Sequence, residues 1–326
     1  MVELSVVVPV YGCRDCLPQL HQRLTAALSS VGSDYEIVFV DDRSPDGAWP
    51  VLEELANDDS HVRSVRLSRN FGQHAAITAG LAASQGVWTV VMDCDLQDPP
   101  EALPSLYARA REGFDLVLAR RKRRAHSPVR VALSRFYFKF MNTVMGTNLD
   151  GEFGTFSILN RKVVDAYLSL GETDRHYLFV LHWLGFEQGT IDIELGERAA
   201  GRSSYTLGRL LRHAVSGVFF QTTNPLLYIV YLGFLVAACG IALAVYLVIL
   251  AMVATPPPGW TSVMVIELVI GGFIITSLGV TGLYIGRVFQ QVKGRPLYVV
   301  DEVARKSGER TATKKPAQRQ EVESRT

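Results

Sequence analysis

The sequence predicts an α/β domain with a doubly wound, mostly parallel sheet, followed by an amphipathic helix and a two-helix membrane hairpin. Three observations carry this. Short β-branched apolar runs alternate with helically spaced segments from Leu4 to Ala119. Acidic clusters stand where two of those runs stop. Further on, Pro225–Ala254 carries no charged side chain, and Thr261–Gly286 carries only Glu267.

Leu4–Val10 reads as a buried parallel strand ending in the turn Tyr11-Gly12. Leu17–Leu28 has helical spacing, with Leu17, Leu20, Leu24 and Leu28 on one face. Tyr35–Val40 is a second strand, and Asp41-Asp42 follows it. Ser44-Pro45-Asp46-Gly47 is turn chemistry before a helix through Val51–Ala56. Val62–Leu67 is a third strand, Ala75–Ala83 a helix, Val87–Met92 a fourth strand and Asp115–Ala119 a fifth. Beyond them come the basic block Arg120–Arg124 and a helix over Val129–Met145. Tyr205–Phe220 places Leu207, Leu210, Leu211, Ala214, Val215 and Val218 on one face, as an interfacial helix does.

Both charge-poor stretches exceed the ~20 residues that span a hydrocarbon core. The linker Thr255–Gly259 is too short to hold a domain, so the spans form a hairpin at 225–254 and 261–286. Arg202, Arg209 and Arg212 precede the pair and Arg287, Lys293 and Arg295 follow it, while the linker has no Lys or Arg. The positive-inside rule then puts the domain 1–204, the juxtamembrane helix 205–222 and the tail in the cytoplasm. Glu267, six residues past Thr261, reads as interfacial. The N-terminus has no signal-peptide pattern, and residues 303–326 read as a disordered polar tail.

Cys13-Arg14-Asp15-Cys16 matches C-x-x-C, but no second pair or thioredoxin-like setting accompanies it. The spacing is read as coincidence, and a cytoplasmic domain argues against disulfides. A net charge of +1 over 326 residues, with no recognisable DNA or RNA module, argues against a nucleic-acid partner. No G-x-G-x-x-G follows the first strand and no P-loop occurs, which argues against a dehydrogenase or a P-loop enzyme.

The chemistry concentrates in Val90–Glu101, VVMDCDLQDPPE. Asp93-x-Asp95 at a strand end offers oxygen ligands to a hard cation, Mg2+ or Mn2+, with positions left for diphosphate oxygens, and Gln97 adds a neutral ligand. Asp98 and Glu101, beside the prolines, read as capping the next helix.

Together, PVY at 9–11, DDRSPDG at 41–47, RNFGQHAAITAGL at 69–81 and DCDLQDPPE at 93–101 resemble the inverting GT-A glycosyltransferases of family two, in particular their polyprenyl-phosphate branch. The resemblance implies a GT-A fold, a nucleoside-diphosphate sugar donor, a polyprenyl phosphate acceptor at the bilayer and a homo-oligomer. It implies that Pro9 and Tyr11 flank the base, that Asp42 binds base or ribose with Asp41 beside it, and that Asp93 lies near ribose and metal. Asp95 and Gln97 would ligate the metal. Arg120 is read at the family position that meets phosphate, and Arg198, in Arg198-x-x-Gly201-x-Ser203-Ser204-Tyr205, is a second phosphate candidate.

Three departures from the family pattern stand out: Gly12-Cys13 where Asn-Glu is usual, Ser204 where Lys is usual, and Glu152-Phe153-Gly154-Thr155-Phe156-Ser157 where an acidic segment is usual. Glu152, with Asp150 nearby, remains as the catalytic carboxylate of that region. An acceptor that is already a phosphate anion needs no strong general base. The expected reaction is inverting transfer to a polyprenyl phosphate. Transfer to a glycan or protein, and a non-catalytic membrane scaffold, are the alternatives.

Overall fold

The computed structural model describes residues 2–121, 153–172, 175–194 and 259–306, with scattered positions between 229 and 249. Its sheet is built outward from β1 (Leu4–Val10), whose seven residues are all buried. β1 pairs in parallel with β2 (Tyr35–Asp41) on one side and β4 (Trp88–Val91) on the other. A strand covered on both faces must be apolar throughout, which is why LSVVVPV shows no alternation. β3 (Val62–Leu67) extends the parallel set beyond β2.

Strand pleating divides the core into two layers. Val6, Val8, Val10, Ile37 and Phe39 pack under α1 (Leu17–Val31), α2 (Ala48–Asp58) and α4 (Leu103–Ala110). Val7, Val38 and Val40 face α3 (Gln73–Ala83), α5 (Arg161–Ser169) and α6 (Tyr177–Trp183). α3 lies unusually close to the sheet: a Cβ on Gly80 would sit 2.2 Å from Val7 Cγ1 and 3.1 Å from Val40 Cγ2. Its run of alanines and a glycine permits that approach.

The complete order is β7-β5-β6-β4-β1-β2-β3-β8. β5 spans Leu116–Arg121, β6 Phe153–Asn160, β7 Gln188–Ile193 and β8 Val300–Arg305. The expectation of a mostly parallel sheet holds for six of the eight strands, since β5 and β7 pair in parallel and run with β1–β4. β6 runs antiparallel between β4 and β5, and β8 runs antiparallel along β3. The sheet is therefore mixed. β8 also moves the start of the expected tail: Val303–Arg305 are paired strand, because the β3 edge offers a ladder that no local pattern in VDEVAR reveals.

Among the described residues, one helix is long and apolar enough to cross a membrane. It is α7 (Trp260–Val292), about 50 Å long at 1.5 Å per residue. The apolar window within it is Ile270–Val292, with mean hydropathy 1.4 and none of it buried in the protein. It extends six residues past the span read from the sequence at 261–286. Gln291 Nε2 donates to the Gly171 carbonyl at 2.6 Å, and the chain enters β8 shortly afterwards. The C-terminal end of α7 is thus tied to the α/β domain. Most of the first expected span (225–254), the juxtamembrane helix 205–222, the helix at 129–145 and residues 307–326 lie outside the described residues.

Candidate active site

From β1 the chain moves through β2 to β3 on one side, then crosses back to place β4 on the other side of β1. The sheet's topological switch point therefore lies between the carboxyl ends of β1 and β4, where open α/β sheets bind ligands. Pro9 lies within β1, buried and opposite Val40 of β2. Tyr11, just past the strand, is 54% exposed and presents its ring at the crevice edge.

Asp41 and Asp42, at the end of β2, are almost fully buried. Asp41 accepts from the Ser44 amide at 2.8 Å and faces Arg66 Nε at 3.4 Å. Asp42 accepts from the Phe71 and Gly72 amides at 2.7 and 2.8 Å, joining this loop to the entrance of α3. Burial pushes both carboxyls above their ordinary range, against the pull of those hydrogen bonds. The same turn reaches β1: the Gly12 amide donates to Ser44 Oγ at 2.7 Å, and the Arg14 amide to Asp46 Oδ2 at 2.8 Å.

Past β4, Asp93, Asp95 and Gln97 are half-buried in one loop. Asp93 Oδ1 accepts from Thr155 Oγ1 and Gln73 Nε2, each at 2.8 Å, and Oδ2 is 3.8 Å from Arg121 Nη2. Burial pushes the Asp93 carboxyl up, while Thr155 and Arg121 oppose the shift. Asp95 accepts from the Gln97 amide at 3.1 Å. Between them Leu96 has φ +62, and Arg43, after Asp42, has φ +57. These are the two left-handed non-glycine residues among those described, and both lie in loops at this crevice. Such backbone is held only where the surroundings over-determine it.

Three expectations change here. Asp98 does not cap a helix: it is fully buried, and its carboxylate accepts from Arg121 Nη2 at 3.0 Å. Burial raises its pKa to about 6, with the Arg121 charge opposing. Glu101 does stand in the first turn of the next helical segment, the 3-10 turn Pro100–Ala102 ahead of α4, but its carboxylate engages both Nε and Nη2 of Arg23 on α1. Cys13 and Cys94 form a disulfide across 81 residues, contrary to the reading of the cysteines as unpaired. The reason is topological: β1 and β4 are parallel neighbours, so the segments leaving them are brought side by side. Cys16, three residues from Cys13, is buried, and burial followed by Asp95 and Asp15 pushes its thiol up.

Arg120 does not join the acidic group. Its Nε donates to Asp192 Oδ1 of β7 at 2.6 Å, at the exposed side of the sheet. Arg121 is the residue that reaches Asp93 and Asp98. Adjacent strand residues point to opposite faces, and a register shift falls between Leu118 and Arg120. A Cβ on Gly154 would lie 2.5 Å from Arg121 Cζ, so glycine is what fits beside this guanidinium. Thr155, Gln73, Arg66 and Arg121 were not singled out from the sequence. The basic block, the segment 152–157 and the motif at 69–81 contain Arg121, Thr155 and Gln73, and Arg66 alone lay in no such segment. Glu152 and Arg198 lie outside the described residues.

The profile of Glycosyl transferase family 2 matches residues 5–168, which contain every crevice loop described above. An uncharacterized glycosyltransferase of Synechocystis sp. is 34% identical over 304 residues, 93% of this chain and 96% of the relative. The chain belongs to glycosyl transferase family 2. A second relative, the uncharacterized glycosyltransferase YkcC of Bacillus subtilis, is 33% identical over 92% of this chain and 94% of its own. Both alignments extend past the family 2 domain towards the C-terminus. Among solved structures, glucosyl-3-phosphoglycerate synthase from Mycobacterium tuberculosis, in complex with Mn2+, UDP and phosphoglyceric acid, is 17% identical. Its TM-score is 0.48, covering 68% of this chain and 78% of that one.

Proposed function

We propose that this family 2 protein transfers a sugar, with inversion, from a nucleoside-diphosphate sugar to a polyprenyl phosphate at a membrane surface. One observation carries the reading: the Asp93/Asp95 crevice belongs to a sheet whose edge strand β8 is continuous with a membrane-length apolar helix. A water-soluble donor and a lipid acceptor would meet in such a molecule.

Asp93, Asp95 and Gln97 would hold Mg2+ or Mn2+. Two carboxylates and an amide oxygen on one loop suit a hard cation and leave coordination positions for diphosphate. When bound, the ion supplies positive charge to the departing diphosphate. Thr155 and Gln73 fix the orientation of Asp93. Tyr11, Pro9, Asp41 and Asp42 form the donor end, where the exposed Tyr11 ring offers a stacking face for a base. Arg121 Nε is buried and finds no acceptor among the described residues, which makes it a donor suited to a phosphate oxygen. Arg120 and Arg198 are assigned to neighbouring phosphate or lipid-headgroup charge, and Glu152 to the vicinity of the reacting sugar. The acceptor phosphate oxygen attacks the anomeric carbon in line, the bond to the diphosphate oxygen breaks, and the configuration inverts. An acceptor that is already anionic leaves the protein to position and neutralise. A cytoplasmic domain is the orientation that the basic residues flanking the apolar stretches favour by the positive-inside rule.

Membranes containing the protein, given labelled nucleotide sugars and undecaprenyl phosphate, should form an organic-soluble, acid-labile product. Asp95→Ala should lower its formation by at least ~100-fold, as expected for loss of a metal ligand. Absence of product from every donor, or an unaffected Asp95→Ala variant, sinks the reading. A second reading is transfer to a glycan or protein. It is favoured by Thr155, a hydroxyl, standing next to Asp93 in the segment where the sequence resemblance leads one to expect acid. A labelled product that stays in the aqueous or protein fraction would establish it instead.

A further inference from the structure

Three of the four cysteines gather at the crevice: Cys13 on the segment leaving β1, Cys94 between Asp93 and Asp95, and Cys16 on the turn after Cys13. The Cys13–Cys94 bond crosses the topological switch point itself. It joins the donor-side segment to the loop that carries the proposed metal ligands, and that loop already holds Leu96 in a left-handed conformation. A domain with this much apolar core does not require a cross-link to fold. Where the thiol pool is reducing, as the proposed cytoplasmic placement implies, disulfides are mainly catalytic or redox-sensing.

Cys13 also has a second partner within reach. The Cys16 amide donates to the Cys13 carbonyl at 3.0 Å, closing a 3-10 turn, and residues three apart on such a turn eclipse one another. Gly12, Arg14 and Asp15 around Cys13 are exposed, so an external thiol can approach along this segment although both bonded cysteines are buried.

We propose that Cys13–Cys94 is a redox modification site whose partner is a dithiol reductant, and that opening it releases the Asp93–Asp95 loop. One thiol of the reductant attacks Cys13 Sγ, and Cys94 Sγ leaves and takes up a proton. The second thiol attacks the mixed disulfide and returns Cys13 as a thiol. Two electrons and two protons pass to the cysteine pair, and the reductant becomes a disulfide. Reoxidation by an external disulfide, which takes up the two electrons and two protons and leaves as two thiols, then has two products, Cys13–Cys94 with the crevice locked or Cys13–Cys16 with the loop free. The chemistry stands on the cysteines alone; its consequence for metal binding rests on the proposed function.

The test uses the full-length protein in detergent, compared before and after dithiothreitol. Alkylation and peptide mass spectrometry without reductant should recover a linked Cys13–Cys94 pair. Reduction should speed hydrogen exchange at residues 93–98 by about tenfold or more, as local opening requires, and weaken Mn2+ binding, read by electron paramagnetic resonance, by about tenfold. The Cys94→Ser variant should match the reduced protein and ignore dithiothreitol. Absence of the linked pair overturns the proposal, as does identical exchange of residues 93–98 in both states. If exchange responds to redox state but neither form binds Mn2+, the redox site stands and the metal reading of the proposed function falls.

Discussion

Asp98 is a fully buried carboxyl at the crevice, paired with the Arg121 guanidinium at 3.0 Å. Its folded pKa of about 6 lies above the ordinary 3.8, so between roughly pH 4 and pH 6 the native protein holds a proton that the unfolded chain has released. The sign follows: this group makes stability fall as pH rises through that window, by up to about 3 kcal/mol at 1.36 kcal/mol per unit. Asp41, Asp42 and Asp93 are shifted in the same direction. Denaturant unfolding of wild type and Asp98→Asn, from pH 4 to pH 7 in chelator, should therefore give a difference that isolates Asp98, with the shallower pH slope in the variant. At this scale the sequence was informative about types and weak about directions. A carboxylate at a strand end is visible in DCDLQD, whereas the choice between Arg120 and Arg121 depends on a register shift in β5.

At the scale of elements, α3 shows how composition sets distance. Every residue from Ala75 to Leu81 is buried, and Gly80 lets the helix settle onto β1 and β2. Gly80→Ala is a useful probe because two effects oppose each other. Helix propensity favours alanine by about 1 kcal/mol, but a Cβ 2.2 Å from Val7 Cγ1 demands a shift of helix or strand. Overpacking of this kind costs about 1–3 kcal/mol, so a net loss of stability is expected in chemical denaturation. The first five strands and the helices between them were legible as short apolar runs of strand length alternating with longer, helix-forming segments. β6, β7 and β8 were not, since FGTFSILN, QGTIDI and VDEVAR mix polar and apolar residues. Their pairing partners, rather than their own sequences, make them strands. β8 is held by its ladder to β3 and by ion pairs, Asp301 with Arg43 at 2.8 Å and Glu302 with Arg66 at 3.6 Å.

At the scale of the whole molecule, the Cys13–Cys94 bond closes a covalent loop between cysteines 81 positions apart, and the loop contains β2, β3 and β4. Chain-entropy reasoning assigns such a closure about 4–5 kcal/mol through the unfolded state. Thermal unfolding of the domain with and without reductant should show a lower midpoint in the reduced form, and an unchanged midpoint would mean that the cross-link constrains only the crevice. The sequence by itself determined the strand–helix alternation, the acids at the ends of β2 and β4, and the apolar segment near the C-terminus. Those are consequences of burial and periodicity, which act over a few residues at a time. Only the tertiary structure decided that Cys13 meets Cys94, that Arg121 meets Asp98, and that β8 returns from the apolar helix to the edge of β3. Each of these is set by which strands become neighbours, and strand order is a property of the assembled sheet that no short stretch of chain encodes.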